Sequence, residues 1–309
     1  MAWSHPFLFF MTMTHIIAPR LPFEVLCRKK ILKLGTRTHI MGILNVTPDS
    51  FSDGGCFFDP YRAQDQALVM EAEGADIIDI GGESSRPAGP YGTGADPIST
   101  EEELRRTIPV IKAIASKIAT PISIDTTKAE VARQALDAGA DIVNDISALR
   151  FDPHMAKVVA HNRVPIVLMH MQGSPQTMQA NPTYDHLIQE IAEFFKKQIT
   201  LTTQAGISHS QLILDPGLGF GKTYAHNIEL ILQLPAFSFL NCPILMGPSR
   251  KKFTAPNAPP ANRLPGTITA VTMCVMAGAH IVRVHDVAAT RQAIALTDGL
   301  RNAFTKETP

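Results

Sequence analysis

Met41-Gly42-Ile43-Leu44-Asn45-Val46-Thr47-Pro48-Asp49-Ser50-Phe51-Ser52-Asp53-Gly54-Gly55 starts as a buried strand and breaks abruptly into a polar, glycine-rich loop. Its apolar residues carry the chain through a core. Asn45 then stands at the C-terminal end of the strand, where a parallel α/β protein places its chemistry. The Thr-Pro-Asp-Ser and Asp-Gly-Gly pieces form turns and lack apolar periodicity, so the stretch reads as a surface loop. Taken alone, the run could be a plain strand, some turns and a helix cap. The strand ends that follow it favour a site.

Past residue 30, short runs rich in Ile, Val and Leu recur, each followed by a helical stretch. The runs are His39–Val46, Asp76–Gly82, Pro121–Thr126, Asp141–Ser147, Pro165–His170, Leu212–Gly217, Pro243–Ser249 and Ile281–Asp286. They are near-continuously apolar, as strands buried on both faces are. Between them, the spacing predicts helices over Thr100–Lys117, with acidic residues in the first turn and Pro109 inside, over Ala129–Ala138 before Gly139, and over Tyr184–Gln204 before Gly206. Eight strand–helix units in about 250 residues match the usual size of an α/β fold of the (β/α)8 TIM-barrel type. A doubly wound sheet is the alternative, but no dinucleotide loop follows the first strand. The run Gly217-Leu218-Gly219-Phe220-Gly221-Lys222 lacks Walker spacing. Two irregular segments, 84–99 and 255–265, fall after strands two and seven, on the face where lids and binding loops belong.

The 309 residues carry 28 Lys+Arg and 28 Asp+Glu, a formal net charge of zero. A nucleic-acid-binding chain would show a basic excess, so no nucleic-acid partner is expected. The four cysteines are far apart in sequence, without zinc or redox spacing, which fits a reducing cytoplasm. Residues 5–17 are apolar and Met-rich, but no basic residue precedes them and the stretch is too short to span a bilayer. Residues 1–30 are expected to be an N-terminal extension, either disordered or packed across the bottom of a single barrel over 31–309. No membrane association is expected.

Polar residues collect at the strand ends. They are Asn45, then Glu83-Ser84-Ser85-Arg86, Asp125, Asn144-Asp145, His170, Asp215, Ser249-Arg250-Lys251, and Arg283 with His285. Any one could be a cap or a satisfied turn residue; together they are hard to explain that way. Asp125, Asp215, Asn144 and Lys251 could surround a flat heterocycle that carries both donors and acceptors. One carboxylate matches the two parallel N–H donors of an aminopyrimidinone edge. Arg86, Arg283, His285 and Asn45 resemble a polyanion site. Arginine suits phosphate through its fork, and the Asn oxygen is acceptable to Mg2+. No serine has a sequence-level partnership of the triad kind. For His170, a structural role outweighs metal ligation.

These segments together resemble the bacterial-type dihydropteroate synthases, from about residue 31 to the C-terminus. The similarity is carried by Asn45–Gly55, Asp79-Ile80-Gly81-Gly82-Glu83-Ser84, Ser123-Ile124-Asp125-Thr126, Asn144-Asp145-Ile146-Ser147, Leu214-Asp215-Pro216-Gly217, Ser249-Arg250-Lys251 and Arg283-Val284-His285-Asp286-Val287. The resemblance implies a (β/α)8 barrel that joins 6-hydroxymethyl-7,8-dihydropterin pyrophosphate to p-aminobenzoate. By resemblance, Asp125, Asn144, Asp215 and Lys251 hold the pterin, Met169 and Phe220 flank the pterin or the aryl pocket, and Ile146 and Gly247 are further substrate-binding residues. Asn45 ligates Mg2+ on the diphosphate, Arg283 and His285 bind the diphosphate, and Arg86 closes over it. Ser85, Pro87, Phe51 and Ser249 border the p-aminobenzoate pocket. Asp125, Lys251, Arg283 and His285 are the expected catalytic set. The attacking atom is the aniline nitrogen of the substrate, which accounts for the missing protein nucleophile. Relatives are commonly homodimers packed through late helices.

Three departures stand out. Ser85-Arg86-Pro87-Ala88 replaces the usual Thr-Arg-Pro-Gly, so Ser85 keeps the hydroxyl but loses a methyl that stiffens its rotamer. Lys252-Phe253-Thr254 leads into a Pro-rich loop where relatives continue into a short helix. Leu218 replaces a common Phe. The alternatives are a catalytically weak pterin-binding paralogue and a pterin-binding methyltransferase, which would have no use for a diphosphate pocket.

Overall fold

In the computed structural model, the described residues are 17–28, 30–47, 60–84 and 96–306. The chain enters through a hairpin, β1 (Phe23–Cys27) and β2 (Lys30–Leu34), paired antiparallel. Eight parallel strands follow: β3 (His39–Asn45), β4 (Ile77–Gly81), β5 (Ile122–Asp125), β6 (Ile142–Asp145), β7 (Ile166–Met169), β8 (Leu212–Asp215), β9 (Leu245–Met246) and β10 (Ile281–Val284). Their hydrogen-bonded order is β8-β7-β6-β5-β4-β3-β10-β9, and a parallel bridge from Leu214 to Ile244 joins the two ends. Helices α1 (Pro60–Ala72), α2 (Thr100–Ile114), α3 (Ala129–Ala138), α4 (Met155–Asn162), α5 (Leu187–Gln204), α6 (Tyr224–Leu232), α7 (Leu264–Met276) and α8 (Val287–Lys306) follow β3 to β10 in turn. This is the (β/α)8 barrel expected from the alternating apolar runs.

Side-chain alternation sorts each strand into two faces. Ile40, Leu44, Ile78, Ile80, Ile124, Val143, Ile166, Leu168, Leu214 and Val282 face outward into one core shared with the helices. Met41, Ile77, Ile142, Val167, Ile213, Leu245 and Ile281 form a second, interior cluster. On most of these strands, the position two residues further on is polar or is glycine: Asp79, Asn144, Asp215, Gly247 and Arg283. The barrel interior is therefore apolar below and polar above. This explains how strands that read as continuously apolar still deliver charged groups to one end.

The hairpin seals the apolar end. Val25, Cys27, Leu32 and Leu34 are buried and join the interior cluster, while Leu26 and Ile31 face out. The tight turn carries Arg28 at φ 45°, a left-handed conformation. A boundary at residue 30 therefore runs through one structural unit, and described residues before it belong to the barrel floor. Arg20 ties this segment to Asp298 of α8 at 2.7 Å, and Ala18 N–H donates to Met276 O at the end of α7.

The helix ends follow the sequence. Ser99 caps α2, its hydroxyl accepting from Glu102 N–H at 3.2 Å, and the helix stays continuous across Pro109. α3 ends at Gly139 with φ 119°, where a Cβ would lie 2.6 Å from the Ala115 side chain. The Pro-rich 255–265 segment contains a 3-10 turn at Pro260–Asn262, and α7 starts at Leu264 with Pro265 in its first turn. Among the described residues, no helix is long and apolar enough to cross a membrane.

Candidate active site

The polar end is organised around Arg283. Its Nε donates to Asp79 Oδ2 at 2.6 Å and its Nη2 to Asp125 Oδ2 at 2.5 Å. Asp79 Oδ2 also accepts from Asn144 Nδ2 at 3.1 Å. Asp79 is wholly buried, and its second oxygen has no partner among the described residues. A carboxylate in that position is tolerable only because a guanidinium neutralises it. Asp125 sits at the strand end with its side chain 19% exposed. Burial drives its pKa up to about 7 against the pull of Arg283, and the neighbouring Asp79, Glu103 and Asp145 push the same way.

Register places the rest. Asn45 pairs with Gly81, Gly81 with Asp125, and Asp125 with Asn144. Gly81 has no side chain, which leaves a gap there. A Cβ at this position would sit 3.7 Å from Asp125 Oδ2 and 3.8 Å from Asn45 Oδ1. Across the barrel, Gly247 opens a similar gap, with Arg283 Cβ at 3.9 Å and Asp215 Oδ2 at 4.0 Å from its would-be Cβ. Both glycines keep polar groups facing a common space.

Asp215 is buried and its Oδ1 accepts from Gly217 N–H at 2.8 Å. The turn needs Gly217: φ is +76°, and a Cβ would fall 2.0 Å from His170 O. Burial raises the Asp215 pKa, with Gly217 N–H, Lys251 and Arg283 opposing. Lys251 reaches in after β9, its Nζ 3.8 Å from the Phe220 ring centroid. Met169, Phe220 and Ile146 belong to one apolar wall with Met171 and Met178. Burial, then Arg283, lowers the Lys251 pKa to about 7 against Asp215 and Asp125.

The turn that aims Lys251 is strained at Arg250, φ 56°. It is held from outside. Arg250 forks onto Asp286, with Nη2–Oδ1 at 2.7 Å, while Arg263 Nη1 donates to Arg250 O at 2.9 Å and Arg263 Nε to Ala258 O at 2.8 Å. The Pro-rich segment thus braces the Lys251 turn. Beside it, Ser249 meets His285, Oγ to Nδ1 at 2.9 Å. At the foot of the loop after β4, Lys128 Nζ bridges Glu83 and Glu103, each at 2.5 Å.

Asn45, Asp125, Asn144, Asp215, Gly247, Lys251 and Arg283 therefore share the polar end, with Ile146, Met169 and Phe220 as its wall and Ser249 and His285 at the ends of β9 and β10. Phe51, Ser85, Arg86 and Pro87 lie outside the described residues. Asp145 is turned away: it accepts from Ser147 N–H and Leu149 N–H in the turn after β6. His170 packs edge-on against Phe194, with ring centroids 4.9 Å apart.

Two buried groups escaped the sequence reading. Asp79 stands mid-strand between isoleucines, and a charge there was itself the signal. Lys222 is 3% exposed, its Nζ 3.1 Å from His170 Nδ1 and donating to Phe220 O at 3.1 Å. The Gly217–Lys222 run serves to fold this lysine back under Phe220.

The arrangement offers a carboxylate acceptor, an ammonium, an amide and an apolar wall to a flat polar ring, beside an arginine and a neutral Asn oxygen for an anion. Comparison with known proteins agrees. Residues 41–285 match the family model described as pterin binding enzyme. A dihydropteroate synthase of Synechocystis sp. is 50% identical over 269 residues, covering 86% of this chain and 91% of that one.

The chain belongs to the dihydropteroate synthases.

Solved structures of this family superpose closely. The Yersinia pestis dihydropteroate synthase with a sulfonamide drug complex gives a TM-score of 0.84 at 41% identity, covering 91% of this chain and 100% of that one. The Xanthomonas albilineans dihydropteroate synthase with 4-aminobenzoic acid gives 0.82 at 41% identity, covering 94% and 100%.

The two opposed shifts set a pH expectation for the synthase reaction. In the roles expected from the family motif, Asp125 acts as a carboxylate and Lys251 as an ammonium, and burial pushes the first up and the second down, each toward about 7. Activity should therefore rise through the Asp125 pKa and fall above that of Lys251, giving a narrow maximum in kcat/KM near neutrality. Lys251→Arg should keep the acid limb and remove the basic one, because guanidinium stays charged. A wild-type profile flat from about pH 5.5 to 9 contradicts the assignment.

Proposed function

We propose that this chain condenses 6-hydroxymethyl-7,8-dihydropterin pyrophosphate with p-aminobenzoate, giving 7,8-dihydropteroate and pyrophosphate. The observation that carries the reading is Arg283 lodged between Asp79 and Asp125, with Asp215 and Lys251 at the same end of the barrel: an anion anchor adjoining a cradle for a donor–acceptor ring.

Asp215 accepts the ring N–H and amino hydrogens of the pterin, Asn144 and Asp125 bond its other polar edge, and Lys251 faces the ring carbonyl and N5. Met169, Phe220, Ile146 and Gly247 enclose the ring. The aniline nitrogen lone pair forms the new C–N bond to the pterin CH2 group. The C–O bond to diphosphate breaks, its electron pair leaves with the diphosphate, and the aniline nitrogen loses one proton. No protein nucleophile is needed. Arg283 and His285 hold the departing diphosphate, and Asp125 offsets positive charge that develops on the pterin. Arg86 closes over the diphosphate, while Ser85, Pro87, Phe51 and Ser249 border the arylamine; these roles follow the family motif.

Asn45 fits a Mg2+ role. Its amide has no protein partner among the described residues, and no cluster of three or more His, Cys, Asp or Glu ligands exists there. That donor set suits an ion carried mainly by water and substrate phosphate. When bound, Mg2+ supplies charge neutralisation on the diphosphate.

Purified protein should form dihydropteroate and pyrophosphate in equal amounts, and only with Mg2+ present. Arg283→Ala should lower turnover at least ~100-fold, as loss of one charge-stabilising group does. Pterin binding without product would instead mark a silent paralogue, and near-normal turnover in Arg283→Ala would remove its assigned role.

The functional form is a homodimer in the cytoplasm. Helices α6 and α8 flank α7, and each carries exposed apolar residues at four-residue spacing: Tyr224, Ile228 and Leu232 on one, Leu296 and Leu300 on the other. Light scattering should give twice the 33.6 kDa chain mass, and Leu296→Glu with Leu300→Glu should give the single mass. A monomeric wild type at micromolar concentration refutes the assembly.

A further inference from the structure

Ser249 and His285 meet where β9 and β10 end. Ser249 is 5% exposed. Its Oγ accepts the backbone N–H of His285 at 3.1 Å and lies 2.9 Å from Nδ1 of the same ring. A serine hydroxyl has one hydrogen and two lone pairs. The backbone N–H uses one lone pair, so two arrangements remain for a neutral ring. Either the hydroxyl donates to Nδ1, or an Nδ1–H fills the second lone pair and the hydroxyl hydrogen must find another acceptor. Among the described residues, Ser249 has no such acceptor. A buried unmatched donor costs about 1–3 kcal/mol, so the first arrangement wins.

The doubly protonated ring is also disfavoured. Burial, then Arg250 and Arg283, lower the His285 pKa to about 3, with Lys251 adding to them and Asp286 opposing. Arg250 and Lys251 come from the turn after β9, Arg283 from β10, and Asp286 from the residue after His285. The ring is neutral at working pH, and its hydrogen must be on Nε2.

We propose that Ser249 sets the tautomer of His285, so that the ring offers Nε2–H as a neutral, directed donor to a diphosphate oxygen. This rests on the reading of His285 as a diphosphate ligand. Ser249 is then a positioning residue, and His285 contributes direction while the site's charge comes from Arg283 and Lys251. A neutral donor holds the diphosphate less tightly than an imidazolium would, which suits a product that must leave.

The test is 15N NMR of histidine-labelled protein, with the His285 signals identified by their loss in His285→Gln. The expected pattern is a pyridine-type Nδ1 and a pyrrole-type Nε2, kept when inorganic pyrophosphate and Mg2+ are added. Ser249→Ala should mix the tautomers and weaken inorganic pyrophosphate binding about five- to tenfold, the cost of one misdirected neutral hydrogen bond. Ser249→Thr, which keeps the hydroxyl, should restore both. In a His285→Ala background, Ser249→Ala should cost little further. A protonated Nδ1 in the wild type, or equal Ser249→Ala losses with and without the His285 ring, overturns the proposal. The expected tautomer together with wild-type pyrophosphate affinity in His285→Ala would overturn only the diphosphate assignment and leave Ser249 as the residue that sets the ring.

Discussion

The upper half of this barrel depends on one guanidinium shared by two carboxylates. Asp79 is wholly buried against Arg283, and Arg283 is oriented as Asp79 and Asp125 take two of its N–H groups at once. Asn144 is then positioned by the Asp79 oxygen that also accepts from Arg283. Removing one member of such a buried set leaves an uncompensated charge, typically at a cost of about 3–5 kcal/mol. In the proposed reaction, the same pairing supplies a preorganised cation that needs no rearrangement when charge develops on the leaving group.

A second support acts from outside the barrel. Lys251 must reach inward from a turn whose preceding residue, Arg250, is left-handed. The strain is offset by the Arg250–Asp286 fork and by Arg263, which bridges Arg250 O to Ala258 O. The Pro-rich segment therefore braces the turn that carries Lys251. Gly266 fits this role, since a Cβ there would lie 1.9 Å from Thr254 O. At the opposite end, the β1–β2 hairpin covers the apolar layer.

Much of this was legible in the sequence. Each of the eight apolar runs contains its observed strand, because strands buried on both faces leave an unbroken Ile, Val and Leu signal. Strand-end residues such as Asn45, Asp125 and Asp215 could be picked out because polarity begins abruptly there. Asp79 was hidden by its position, two residues below the strand end, where only the period-two alternation marks it as inward. Lys222 is hidden because a glycine-rich run that ends in lysine resembles a phosphate loop and gives no local sign that the lysine folds back into the interior. The hairpin was missed since its inward residues, Val25, Cys27, Leu32 and Leu34, form two short alternations split by a turn, a weak pattern beside an apolar N-terminus. Long-range ties such as Arg263 to Arg250 have no local sequence signal.

The measurement that bears most directly on the shared guanidinium is the turnover of Arg283→Lys, with folding checked by circular dichroism. Lysine keeps the charge but has no planar fork, so it cannot hold Asp79 and Asp125 together. The expected result is a fall in turnover of at least ~10-fold in a folded protein, the scale of losing one oriented charge-assisted hydrogen bond. Turnover within about twofold of wild type would contradict the account, since charge alone would then suffice and the fork would organise nothing.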